Sequence, residues 1–188
     1  MDETVAATNM DPTVPFAVKF AAGLVAEYLE GSVYISGGAL LPHDSPDYDF
    51  LVVTQMSDAD LLKYVVQLDH DIDEMTAVKV MESYNNQTGA WRMVVELRYM
   101  QHNIDVLVIP TGYDVKDIMG SYPLSIQKQA LWLAGPNLYG THEVYHKDFT
   151  PPGDGFITVF STGPAFEKYQ KYYPNHAFLL VPGANGTA

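Results

Sequence analysis

Val33-Tyr34-Ile35-Ser36-Gly37-Gly38 and, after eight intervening residues, Asp47-Tyr48-Asp49-Phe50-Leu51-Val52-Val53 are the most informative stretch of this 188-residue chain. The first segment reads as a short β-branched strand running into a sharp, permissive turn, because glycine tolerates backbone conformations that other residues avoid. The second begins polar and becomes wholly apolar, the pattern of a strand entering a core. Asp47 and Asp49 are two apart at its start, and the period of a strand sends both carboxylates to one face. Like charges at that range resist joint ionisation unless a cation lies between them.

Working outward, Thr13–Glu30 carries apolar residues at helical spacing (Phe16, Phe20, Leu24 and Leu29, with Ala21, Ala22 and Val25), and Gly31 is expected to end that helix. Asp58–Leu68 reads as a second helix capped by Ser57 or Asp58. Trp91–Tyr99 alternates, with Met93, Val95, Leu97 and Tyr99 on one face and Arg92, Glu96 and Arg98 on the other. A short turn at Met100–His102 then leads into Ile104–Ile109, and the two strands form a hairpin. Ser125–Ala134 is expected to be helical, and the Gly-, Pro- and Tyr-rich remainder to form short strands and ordered loops. The fold class is α+β, a mixed sheet flanked by helices. The chain divides into a loose leader over 1–12, a core over 13–135, a C-terminal extension packed on that core over 136–181 and a flexible tail over 182–188.

Asp105 is the only charged residue in the apolar run Ile104–Ile109, a strand covered on both faces. Leaving its carboxylate uncompensated costs several kcal/mol or more, on the order of the burial penalty for a lone charge. Two compensations are open. A two-residue turn at Gln101-His102 places Arg98 opposite Asp105 as a cross-strand ion pair. Alternatively, Asp105 shares a magnesium ion with Asp47 and Asp49, since Mg²⁺ takes oxygen ligands and completes its octahedron with water and phosphate.

The run Val33–Gly38, the Asp47-x-Asp49 pair opening a strand, and Ile104-Asp105-Val106-Leu107 together resemble the polymerase beta-type nucleotidyltransferase superfamily over about residues 13–135. A weaker likeness covers Pro123–Gln127, similar to the segment that supports the nucleotide site in tRNA-end-adding members. The resemblance implies a nucleotidyltransferase-like core in which Asp47, Asp49 and Asp105 hold two Mg²⁺ ions, Mn²⁺ being an alternative. It implies that Ser36, Gly37 and Gly38 contact the triphosphate of an NTP such as ATP. It further implies that Asp47 and Asp49 hold the nucleotide-side metal, while Asp105 helps a second one activate an attacking hydroxyl. In-line displacement at the α-phosphate with loss of pyrophosphate follows. The sequence departs from the family in a shorter gap between the glycines and the Asp pair, in His43 and Asp44 where many relatives carry Arg or Lys, and in lacking a clear helical domain after the core.

Composition narrows the partners. The chain holds 10 Lys/Arg against 23 Asp/Glu, a formal charge of −13, and no Cys, so disulfides and thiolate zinc sites are excluded. Residues 1–115 carry five of the basic side chains and 18 of the acidic ones, and the two signs balance at five each beyond that. Such a surface disfavours long nucleic acid, whose binding relies on Lys and Arg displacing counterions. The five lysines 116, 128, 147, 168 and 171 are the reserve for gripping the β- and γ-phosphates. With no apolar run long enough to span a bilayer and no targeting segment at the start, the expected setting is cytoplasmic, with no membrane partner.

Three functions follow as expectations. The first is an Mg²⁺-dependent nucleotidyltransferase moving a nucleoside monophosphate from an NTP to a hydroxyl of a small molecule or a protein. The second is a binding or inhibitor protein that keeps this fold without catalysis. The third is a zinc metallopeptidase, because His142-Glu143-Val144-Tyr145-His146 fits H-E-x-x-H, in which a helix puts both imidazoles on one face. Gly140 before it and Pro151-Pro152 after it leave room for one short helix only, and Val and Tyr between the histidines suit a strand equally well. Asp69–Glu74 resembles the start of a calcium loop but has Glu74 where the loop needs Gly, so it reads as a solvated acidic stretch.

Overall fold

The computed structural model describes residues 14–41, 47–86, 89–133, 140–153 and 155–184. The leader expected over 1–12, the His43-Asp44 loop and the last residues of the tail lie outside them. Helix α1 (Phe16–Tyr28) leads into strand β1 (Gly31–Ser36) and a 3-10 turn (Gly37–Leu40), followed by β2 (Asp47–Thr54) and α2 (Asp58–Asp71). Strands β3 (Met75–Asn86), β4 (Gly89–Tyr99) and β5 (His102–Val108) come next, then the short helix α3 (Val115–Ser121) and a second 3-10 turn (Ser125–Gln127). The chain ends with β6 (Ala130–Leu133), β7 (Gly140–Glu143), β8 (Phe156–Val159), α4 (Pro164–Tyr172) and β9 (Ala177–Leu180).

Seven strands form one mixed sheet in the order β3-β4-β5-β2-β1-β6-β7, and β8 and β9 pair separately in parallel. Within the large sheet only β2 and β5 run parallel, and that pair lies at its centre. Alternation along β2 and β5 sorts their side chains between two cores. Phe50, Val52, Ile104, Val106 and Val108 face α1 and α2, meeting Val18, Ala21, Ala22 and Val25 of α1 and Leu61, Val65 and Leu68 of α2. Leu51 and Leu107 face the other way, against Val115, Ile118 and Met119 of α3. Helix α3 is seven residues long and covers only part of that second face, which continues past it to the carboxylates of β2 and β5.

Phe50 is fully buried between Asp47-Tyr48-Asp49 and the apolar end of β2. Phe50→Ala is expected to cost about 3–5 kcal/mol, the range for emptying a buried aromatic site. Equilibrium urea unfolding measures it, and a loss below about 1 kcal/mol would contradict the packing described.

Of the two caps open for α2, Ser57 is the one used, its hydroxyl accepting from the Asp60 N–H at 3.3 Å. Other local expectations are corrected. The helix expected over 125–134 is a 3-10 turn followed by β6, because Ala130 and Leu131 bury fully as they pair with Ser36 and Ile35 at the edge of β1. Pairing with an existing sheet overrides the helical preference of Ala, Leu, Gln and Lys. In α1, Val18, Ala21, Ala22 and Val25 face the core, whereas Phe16 is 70% exposed and stacks on Phe20 instead. Among the described residues no helix is long and apolar enough to cross a membrane.

Candidate active site

Asp47 and Asp49 fall on the α3 side of β2 because Tyr48 and Phe50 are drawn into the opposite core. Parallel pairing of β2 with β5 sets Asp49 directly beside Asp105, and Asp47 beside Asn103. Asp47, Asp49 and Asp105 therefore line one cavity of about 400 Å³, together with Gly37 and Gly38 of the turn after β1. Ser36 is not on its lining. That side chain is fully buried, and its hydroxyl shares a hydrogen bond of 3.0 Å with the Tyr122 phenol.

The hairpin register decides what compensates Asp105. Tyr99 pairs with His102 across a turn at Met100-Gln101, with Met100 in a left-handed conformation (φ 54°). The turn is thus one residue earlier than Gln101-His102, which moves every cross-strand partner by two. Arg98 lies opposite Asn103, and the residue opposite Asp105 is Glu96. The ion-pair alternative is removed, and a fourth carboxylate joins the cavity. Arg92, the other guanidinium on β4, is committed elsewhere. It pairs with Asp58 at 2.9 Å and donates to the backbone carbonyls of Thr54 and Met56.

Burial, reinforced by the charges of Asp105 and Asp47, pushes the Asp49 carboxyl up to about 7, with Lys168 partly offsetting them. Burial also raises Asp105, and Glu96 and Asp47 add to it. Lys168, on α4, is the one lysine among the described residues that lines the cavity. Of the other reserve lysines, Lys128 is buried elsewhere, its ammonium 3.4 Å from the Gly120 carbonyl and 3.9 Å from the Phe160 ring centroid. The remaining walls are Met81, Tyr84, Val94 and Leu107 on the apolar side, and Tyr122, Gln127 and Tyr169 around the glycine turn. Both phenols have raised pKa values, through burial first and the Asp49 charge second.

Four carboxylates on one cavity make an all-oxygen donor set of the kind a hard divalent cation takes, with Arg98 on the adjoining hollow and not on this cavity's lining. Among the described residues no three His, Asp or Glu side chains form a ready-made metal cage. The acids border a shared basin instead, which suits Mg²⁺, an ion held through one or two carboxylates with waters and substrate phosphates filling the rest. Residues 140–143 are strand β7, so the helical face that H-E-x-x-H requires is not formed. Glu143 accepts a hydrogen bond from the Tyr145 phenol, and His146 pairs with Asp148 at 3.3 Å.

The mixed sheet, with a glycine turn after β1 and acids on its two central strands, is a fold shared with solved tRNA-processing and CCA-adding enzymes. Within that fold the chain is similar to enzymes that work on tRNA. A tRNA-processing enzyme superposes with a TM-score of 0.55 at 19% identity, over 80% of this chain and 38% of that one. A CCA-adding enzyme solved with CTP gives 0.53 at 17%, over 76% and 32%. The Thermotoga maritima CCA-adding enzyme complexed with tRNA gives 0.52 at 18%, over 76% and 32%. The chain thus spans between 32% and 38% of the length of these enzymes. No family model and no curated protein sequence matches it. Because one of these neighbours holds tRNA, the comparison lends no support to the exclusion of nucleic acid, which rests on charge alone.

Sequence reasoning missed Glu96 as a site residue, although it was on the correct face. It did not single out Tyr122, and it could not select Lys168 from five lysines or Tyr169 from five C-terminal tyrosines, because α4 reaches the cavity only through tertiary packing.

Proposed function

We propose that this chain is a divalent-metal-dependent nucleotidyltransferase that moves a nucleoside monophosphate from an NTP to a hydroxyl of a small molecule or a protein. The observation that carries this reading is the meeting of Asp47, Asp49 and Asp105 in one cavity with Gly37 and Gly38, with Glu96 as a further acid directly across from Asp105. Asp47 and Asp49 would hold a metal on the nucleotide side, and Asp105 would help hold a second. Bound Mg²⁺ or Mn²⁺ supplies charge neutralisation at the α-phosphate and a more acidic acceptor hydroxyl.

The chain's own groups do the rest. Lys168, which lines the same cavity as the acids, pairs with the β- and γ-phosphates and steadies the pyrophosphate as it leaves. Met81, Tyr84, Val94 and Leu107 offer the nucleoside an apolar wall. A second hollow of about 260 Å³ shares Asp47, Glu96 and Asp105 with the main cavity and adds Val78, Leu97, Arg98 and Asn103. It gives the acceptor hydroxyl a second route to the carboxylates, one that Lys168 does not line.

Thermal-shift measurements with each of the four NTPs, with and without Mg²⁺ or Mn²⁺, test the reading. At least one NTP is expected to raise the melting temperature only when metal is present. A ligand at 100 times its Kd adds about 2.7 kcal/mol to stability. No metal-dependent shift for any of the four would overturn it. A shift without any release of pyrophosphate, across a panel of hydroxyl acceptors, would favour the non-catalytic binding protein.

A further inference from the structure

The two glycines of the turn are glycine for different reasons. Gly37 has a left-handed backbone (φ +70°), and a Cβ there would make only an ordinary contact, 3.6 Å from the Tyr122 ring. Gly38 has no such backbone demand, yet a Cβ on it would fall inside the Tyr169 hydroxyl and 3.2 Å from the ring carbon bearing it. Tyr169 is 3% exposed, on α4, and its phenol also hydrogen-bonds Gln127. Gln127 is itself held, its side-chain oxygen accepting from the Leu124 N–H at 3.1 Å. The residue before Tyr169 is Lys168, which lines the cavity and acts on Asp49. A buried hydroxyl resting on a bare turn therefore sets where α4 stands, and α4 sets where the cavity's lysine stands.

We propose that Gly38 is glycine in order to seat the Tyr169 hydroxyl, and that this seat positions Lys168 for the β- and γ-phosphates of the nucleotide. Tyr169 is a positioning residue acting through Lys168. The inference rests on the nucleotidyltransferase reading for its ligand. It competes with a simpler role for Gly38, in which the turn is bare so that its backbone can approach phosphate. The two roles part when the hydroxyl is removed. If the glycine serves Tyr169, an alanine at 38 is tolerated once residue 169 is phenylalanine. If it serves phosphate, the alanine is harmful whatever stands at 169.

Wild type, Gly38→Ala, Tyr169→Phe, the double variant and Lys168→Met, all in the full chain, are titrated by calorimetry with Mg²⁺ plus each NTP, and with the matching monophosphates. Gly38→Ala and Lys168→Met are each expected to weaken triphosphate binding about tenfold or more, the scale of one charge-assisted contact. Monophosphate binding should stay within about twofold, because Lys168 touches only the outer phosphates; a purely structural defect would weaken both ligands. The double variant should return to within about threefold of Tyr169→Phe alone. Should Gly38→Ala fail to fold, recovery of a cooperative melt in the double variant reads the same seat. A double variant as weak as Gly38→Ala, or a Gly38→Ala protein that binds as wild type does, overturns the inference. Wild type that binds none of the four NTPs defeats the nucleotide reading and the Lys168 coupling with it. The seat is then judged by melting temperature, which Gly38→Ala should lower and Tyr169→Phe should restore.

Discussion

Asp49→Asn and Asp105→Asn are each expected to abolish pyrophosphate release while making the metal-free protein more stable. Two carboxylates on adjacent parallel strands, with Asp47 and Glu96 beside them, repel one another in the folded state and separate in the unfolded one. The Asp49 carboxyl is pushed up to about 7 from an ordinary 3.8. The folded protein therefore holds a proton there that the unfolded chain releases, between about pH 4 and 7. Stability falls as pH rises through that window and stays reduced above it. Asparagine removes the penalty. With EDTA at pH 8, Asp49→Asn should gain roughly 1–3 kcal/mol, allowing for partial exposure. That corresponds to a melting-temperature rise of about 3–10 °C for a domain of this size. At pH 4.5, where wild-type Asp49 is protonated, the gain should shrink. With Mg²⁺ the order should reverse, since on the proposed function wild type would bind the ion through these groups and the variants would have lost a ligand. Transfer should drop by about a thousandfold or more, on the scale of removing a group that stabilises the transition-state charge. A variant that keeps wild-type turnover, or melts at a lower temperature in EDTA at pH 8, contradicts the metal-site assignment.

What was legible in the sequence is what depends on local period. Asp47 and Asp49 share a face because strands alternate, and the sheet honours that because Tyr48 and Phe50 have a core to enter. The α+β class was legible for the same reason, from helical spacing at one end and alternation in the middle. Register was not. The two placements of the turn differ by two residues in pairing and keep the same faces together, so alternation does not choose between them, and the chain takes the one with Met100 at φ 54°. A one-residue error in the turn exchanged Arg98 for Glu96 and changed the electrostatic meaning of the site. Strand β3 went unread because Thr76–Tyr84 mixes polar and apolar residues on a half-exposed edge, with a bulge between Ala77 and Lys79 interrupting its period. The part played by α4 was illegible in principle, since no local pattern links Lys168 to a turn some 130 residues earlier.

Glu96→Lys should convert this site into the ion-paired structure that the sequence alone left open for Arg98. The substitution places an ammonium directly across the hairpin from Asp105, on the face that Asp47 and Asp49 share. A tethered cation would then do what the proposed function assigns to a bound metal, lowering the repulsion among the acids. Cross-strand charge pairs contribute roughly 0.2–1 kcal/mol in exposed positions. Here the change also removes a like charge from a half-buried cluster, so a gain of about 1–2 kcal/mol in EDTA is expected, toward the upper end for charge pairs short of full burial. The same ammonium competes with the metal for Asp105. The rise in melting temperature with Mg²⁺ alone should fall to near zero, and pyrophosphate release should fall by about a hundredfold or more, comparable to losing one electrostatic contributor. Glu96→Gln separates the two effects. It removes the like charge without supplying a cation, and so should keep most of the Mg²⁺ response. If Glu96→Lys retains the full magnesium-dependent shift, the carboxylates do not act as one metal-binding set, and their meeting in the cavity needs another explanation.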